Sequence, residues 1–99
     1  MKINKNQAGS TLTIALEGRL DTTTAPDLEA ELKSGLDGVT ELVMDFTKLD
    51  YISSAGLRVL LSAHKIMLGK GGSMKVTHVN EIVAEVFDVT GFSDILNIE

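Results

Sequence analysis

The chain contains no cysteine and no tryptophan, and only one tyrosine in 99 residues. Without cysteine there is no disulfide, no thiolate metal site and no cysteine nucleophile. The absence also leans toward a reducing compartment, so a cytoplasmic protein is expected. One tyrosine and three phenylalanines provide no stacking platform for nucleobases. No apolar run approaches the roughly 18 residues that a membrane-spanning helix requires. The opening "MKINKNQAGSTLT" carries basic residues with no apolar segment behind them, unlike a secretory signal.

Lysine and arginine never cluster, and the net charge is −5. Nucleic acid is therefore a poor partner, because affinity for it comes largely from neutralised phosphates. An anionic membrane surface is disfavoured for the same reason. A protein partner with a basic patch fits the sign better. The acidic surface and the lack of a large aromatic patch point to a monomer.

Hydrophobic residues make up 43% of the chain and charged residues 23%, enough for a compact core. The length suits one domain over residues 1–99. "TLTIALEG" alternates Leu12, Ile14 and Leu16 with polar or small residues, the signature of a half-buried strand. "MKINKNQ" is placed to pair with it across the turn "QAGS". In "TTTAPDLEAELKSGLDG" the period changes, and Ala25, Leu28, Leu32 and Leu36 fall on one helical stripe. Thr24 is the expected N-cap, Pro26 sits in the first turn and Gly38 ends the unit.

"ELVMDF" reads as a central strand covered on both faces. A second helix follows, with Leu57, Leu60, Leu61 and Leu68 as its apolar stripe, widened by Val59, Ala63 and Met67. Arg58, Ser62 and Lys65 form the opposite stripe, and "GKGG" (Gly69–Gly72) stops the helix. "SMKVTHV" is the next strand. "EIVAEVFDVTG" is a third helix with Ile82, Val83, Val86 and Phe87 inward, and "SDILNIE" a last strand. The order ββαβαβαβ predicts an α/β sandwich, a mixed and largely parallel sheet with helices.

That topology directs attention to the carboxyl edge of the sheet, where strand-to-helix loops gather. Three such loops are expected, at 18–24, 47–54 and 79–81. Asp21 from the first and Ser53–Ser54 from the second then share one end of the molecule. A helix N-terminus there offers unpaired N–H groups and partial positive charge, a setting that holds phosphate. One serine suffices as a cap, which leaves the other to be explained. Asp21 is also a residue that commonly closes such a turn.

Taken together, "EGRLDTTTAPDLEAEL", "LVMDFTKLDYISSAGLRVLL" and "VFDVTGFSDIL" resemble the bacterial anti-sigma factor antagonists (anti-anti-sigma factors), which are STAS domains. The resemblance runs through essentially the whole chain. It implies a partner-switching module that binds an anti-sigma factor with serine kinase activity when unphosphorylated, thereby freeing the sigma factor. Phosphorylation of a serine at the start of the helix after the central strand would end that binding, and a PP2C-type phosphatase would restore it. Members of the family commonly read Asp-Ser-Ser-Gly-Leu at this junction. Aligned on Gly56 and Leu57, Ala55 occupies the usual acceptor position, so Ser54 is the first candidate acceptor and Ser53 the second. The binding surface implied comprises Asp21, Thr22, Thr23, Ser53, Ser54, Ala55, Gly56, Arg58 and Ser62.

Enzymatic chemistry has little to stand on. There is no G-x-S-x-G elbow. His64 lies at the edge of the second helix's apolar stripe, and His78 is expected on a strand face with Met74 and Val76. Neither is placed as a base, and their spacing does not make a metal pair. "GKGG" follows a helix and precedes a strand, the reverse of a phosphate loop. No cofactor or metal is expected. Two alternatives from other classes accompany the resemblance: a non-phosphorylated STAS scaffold, such as the cytosolic partner of a lipid-transport ATPase, and a nucleotide-sensing STAS domain.

Overall fold

A computed structural model describes residues 1–99. In chain order the elements are β1 (Lys2–Ala8), β2 (Thr11–Leu20), α1 (Ala25–Gly35), β3 (Glu41–Ile52), α2 (Ser54–Gly69), β4 (Ser73–Thr77), α3 (Glu81–Thr90), a 3-10 turn (Phe92–Asp94) and β5 (Asn97–Ile98). The sheet order is β1-β2-β3-β4-β5. β1 pairs antiparallel with β2, and every later pair is parallel. The mixed, largely parallel sheet with three helices is the architecture the periodicities predict.

From β2 onward each new strand is added on the same side of the last, and right-handed crossovers then place all three helices on one face. Burial agrees. Along β2 the buried residues are Leu12, Ile14, Leu16 and Leu20, and along β3 they begin Leu42, Met44, Phe46, each alternating with half-exposed neighbours. β3 is thus covered on one face only, contrary to the expectation of two covered faces. Its apolar run is interrupted by Asp45, half-buried on the open side. The core is a single cluster of 24 apolar side chains with no polar group among them. Phe46 of β3 stacks on Phe87 of α3 with centroids 6.4 Å apart, fixing that helix to the sheet.

β3 runs to Ile52, so the expected loop over 47–54 is mostly strand. Register shifts against β2 occur between Ala15 and Glu17 and between Gly18 and Arg19. Each leaves an extra residue on β3, and the inward positions change from Phe46 to Leu49 to Ile52. Two bulges of this kind hide a strand from a period-two reading. α1 ends at Gly35, earlier than expected, and Gly38, at φ +74°, turns the chain toward β3. β5 is only Asn97–Ile98, because Phe92–Asp94 winds into the 3-10 turn.

The helical stripes are narrower than their hydrophobicity suggests. In α2, Leu57, Val59, Leu60, Ala63 and Met67 are buried, whereas Leu61 is half-buried and Leu68 is 60% exposed. In α3, Val83 and Phe87 are buried, Val86 is half-buried, and Ile82 lies 60% exposed rather than inward. His78 is off the strand altogether. It follows β4 with φ 58°, exposed, its Nδ1 3.4 Å from Asp45 Oδ1.

Candidate functional site

Register brings the first two strand-to-helix junctions together. Leu20 pairs with Ile52, and the Ser53 N–H donates to the Leu20 carbonyl at 2.9 Å, so Asp21 and Ser53 leave adjacent strands at the same level. The first junction is a tight turn organised by Asp21. Its Oδ1 accepts from the backbone N–H of Thr23 at 3.0 Å and of Thr24 at 3.1 Å, and from the Thr24 hydroxyl at 3.2 Å. The Thr24 hydroxyl also lies 2.8 Å from the Arg19 carbonyl and 2.9 Å from the Asp21 N–H. Thr24 occupies the N-cap position of α1, yet its side chain caps nothing in the helix. Its hydroxyl faces backward into the turn, and the expected side-chain cap is absent.

These donors hold the Asp21 carboxyl below its usual range. The Thr24 N–H is the largest cause, with the Thr23 N–H, the Thr24 hydroxyl and nearby Arg19 adding to it and desolvation opposing them. Arg19 Nε is 3.8 Å from Asp21 Oδ2, and its guanidinium lies over the Tyr51 ring, 4.4 Å from the centroid. Neither Arg19 nor Tyr51 is conspicuous in the sequence. They meet because a bulge sets Arg19 opposite Tyr51 across the strand pair. An exposed Arg19 and a half-buried Tyr51 so far apart in sequence give no sequence signal of such a contact.

The second junction answers why two serines stand side by side. Ser53 is the N-cap, extended at φ −100° and ψ 176°, with Oγ accepting from the Gly56 N–H at 3.5 Å. Ser54 is the first residue of α2, exposed, and its hydroxyl makes no hydrogen bond within the chain. One serine is spent on the helix and the other is free. Gly56 allows this end of α2 to approach the sheet: a Cβ there would lie 2.7 Å from Leu20 Cγ and 2.8 Å from Ile52 Cγ1. Its role is steric and buried, so of the expected binding surface it supplies backbone position rather than contact.

A groove of about 240 Å³ runs between α1 and α2 beside this junction, with Thr22, Pro26 and Glu29 on one wall and Ala55, Arg58 and Ser62 on the other. Of the residues expected to bind a partner, Thr22, Ala55, Arg58 and Ser62 therefore share one concavity. Thr23 and Ser54 are exposed outside its lining, and Asp21 and Ser53 act within the two junctions. The third junction contributes a residue the sequence reading passed over. Asn80 Oδ1 accepts from the Val83 N–H at 2.8 Å, capping α3, while its Nδ2 donates to the Leu49 carbonyl at 2.8 Å. Its position ahead of "EIV" is a capping signal, but its tie to β3 depends on the fold.

A larger hollow of about 280 Å³ lies at the first bulge, among Asn4, Ala15, Glu17, Asp45, Thr47 and Lys48. Asp45 is held below its usual range mainly by the Thr47 hydroxyl, then by the Thr47 N–H and His78, against desolvation. No group of three or more His, Cys, Asp or Glu is arranged to hold a metal ion. No helix is long and apolar enough to cross a membrane.

A five-stranded mixed sheet with helices on one face, and a serine pair opening the helix after the central strand, define the class. The chain belongs to the STAS domain family, which matches residues 2–99. Within that family it falls among relatives of the anti-sigma factor antagonists. BtrV of Bordetella bronchiseptica, assigned as an anti-sigma factor antagonist, is 38% identical over 96% of this chain and 83% of its own length. The anti-sigma-B factor antagonist of Bacillus subtilis is 26% identical, covering 99% of this chain and 90% of that protein. The fold recurs in the Bacillus cell fate determinant SpoIIAA at 18% identity. TM-scores are 0.79 for its unphosphorylated form, covering 99% of this chain and 87% of that one, and 0.78 for its phosphorylated form, covering 99% and 91%.

Proposed function

We propose that this protein is an anti-sigma factor antagonist acting as a partner switch, with Ser54 as its phosphate acceptor. Unphosphorylated, it binds an anti-sigma factor that carries serine kinase activity and so releases the sigma factor. Phosphorylation by that kinase ends the binding, and a PP2C-type phosphatase restores it. Such a cycle belongs in the cytoplasm, where sigma factors act. The observation that carries the reading is the division of labour at the serine pair: Ser53 caps α2, and Ser54 is exposed with its hydroxyl unengaged.

Physical chemistry supports a switch at that place. A phosphoserine carries about −1.5 to −2 charges. At the first position of α2 it would meet the unpaired N–H groups and the positive end of the helix dipole, so the domain tolerates it. A docked partner would not, since a charge buried without a matching cation is strongly disfavoured. The surface that docks includes Asp21, Thr22 and Thr23 in the first junction and Ser53, Ser54 and Ala55 in the second, with buried Gly56 setting the position of the helix start behind them. Arg58 and Ser62 extend it along the α1–α2 groove. SpoIIAA, with the same fold, exists in unphosphorylated and phosphorylated forms, which is compatible with a switch that alters surface charge more than architecture.

The test is intact-mass and peptide mass spectrometry on protein purified from its host, with Ser53→Ala and Ser54→Ala variants alongside. A single phosphate lost only in Ser54→Ala is the expected result. Phosphate on Ser53 would move the acceptor by one residue. No phosphate under any growth condition would overturn the switch.

A further inference from the structure

All nine Lys and Arg lie at or before Lys75, where nine of the fourteen Asp and Glu balance them. Glu81, Glu85, Asp88, Asp94 and Glu99 account for the entire net charge of −5. The acidity is therefore confined to α3, the 3-10 turn and the chain end. Glu99 is paired with Lys75 at 3.8 Å, but Glu81, Glu85, Asp88 and Asp94 make no ion pair.

On α3 the buried residues are Val83 and Phe87. At 100° per residue the opposite side of the helix centres on Glu85, with Ile82 and Val89 on one flank and Glu81 and Asp88 on the other. Ile82 is 60% exposed and Val89 76%, the largest exposure of any large apolar side chain in the molecule. Helix stability accounts for Glu81, which stands in the first turn where the dipole favours a carboxylate, but not for the rest of this face. Glu81 and Glu85 repel at i,i+4, as do Glu85 and Asp88 at i,i+3. Asp88 sits near the negative end of the helix dipole, and no basic residue stands in the last turn, the reverse of what that end favours. A face that breaks local rules in charge and hydropathy together is where function is expected.

We propose that the outer face of α3 is a second docking surface, separate from the phosphorylation junction, and that it receives a cationic amphipathic segment of a protein partner. Two apolar side chains beside three unpaired carboxylates match an apolar stripe flanked by Lys or Arg. The sign excludes anionic membranes and nucleic acid. A second copy of the chain would set like charges against each other. α1 and α2 pack together, whereas α3 packs over β3 and the 3-10 turn, so this face is not part of the α1–α2 groove.

The test is an NMR titration of the isotope-labelled full-length protein with a synthetic amphipathic Lys/Leu helix, and with a scrambled peptide of the same composition. Saturable shifts should centre on the amides of residues 81–90, and the scrambled peptide should bind about tenfold more weakly or worse. Ile82→Ser with Val89→Ser, both exposed and outside the core, should weaken binding by a similar factor. Glu85→Gln with Asp88→Asn should weaken it and flatten its salt dependence. Four outcomes would overturn the proposal: no saturable binding, equal binding of the scrambled peptide, shifts centred on Arg58 and Ser62, or a free protein that sediments as a dimer through Ile82 and Val89.

Discussion

Single side chains at the junctions have sharply different consequences. Gly56→Ala places a Cβ within 3.0 Å of Leu20 and Ile52 side-chain atoms, and overpacking of this kind costs about 1–3 kcal/mol. Gly35→Ala, with nothing within 4 Å of the added atom and an ordinary φ, should instead stabilise by about 0.5–1 kcal/mol. Urea titration should show opposite shifts in midpoint with unchanged slope. Ser53→Ala removes a long capping bond of 3.5 Å, so its loss belongs near the lower end of the usual range, about 0.5 kcal/mol. Ser54→Ala should leave stability within error, because nothing in the fold uses its hydroxyl.

Asp21 and Asp45 also act at this scale. Both carboxyls ionise below the usual value of 3.8, so the folded state binds their protons less tightly than the unfolded chain does. The stability they contribute is fully present above the unfolded value of about 3.9 and is lost as pH falls through it toward the lower folded values. Asp21→Asn and Asp45→Asn should each flatten the acid limb of a stability-versus-pH curve below about pH 5. An unchanged acid limb in both variants would contradict this account.

Among the elements, β3 carries the most consequence. Its two bulges shift its register against β2 by two residues, so that Ile52 rather than Asp50 pairs with Leu20 and Ser53 leaves the sheet beside Asp21. Asn80 braces the second half of that strand by bonding the Leu49 carbonyl while capping α3. Asn80→Ala therefore removes a cap and strands a part-buried carbonyl, a combined loss of about 2 kcal/mol. Thermal unfolding would measure it, and a loss no larger than that of Ser53→Ala would show the cross-link to be dispensable. The surface pair Glu29–Lys33, at 3.2 Å, is a contrast, contributing about 0.3–0.5 kcal/mol.

For the molecule as a whole, the helices cover one face of the sheet and leave both the α1–α2 groove and the outer side of α3 open. Arg58→Glu reverses charge in the groove at an exposed position, and should weaken capture of the anti-sigma factor about tenfold or more while leaving the unfolding midpoint unchanged. Ser54→Asp should do the same through the helix N-terminus. Calorimetric binding with parallel melting curves separates the two effects. Lost binding accompanied by lost stability would assign both residues to folding instead.

Period two in "TLTIALEG" and period 3.6 in the helices determined the element order, because a side chain's spacing follows from its own backbone. The junction "SSAG" likewise marked its place, since a capping hydroxyl and small residues are local requirements of a helix start. What spacing does not encode is how much surface the rest of the chain provides. Leu68 fits its stripe yet lies 60% exposed near the end of α2, and Ile82, at the edge of its stripe, turns outward once Val83 and Phe87 face the core. β3 beyond Phe46 leaves no period-two signal, because a bulge is defined by the partner strand's register. Arg19 over Tyr51 and Asn80 on Leu49 are contacts between strands and loops far apart in sequence. Which serine is engaged and which is free was decided by tertiary structure, because the approach of α2 to Leu20 and Ile52 sets where the helix begins.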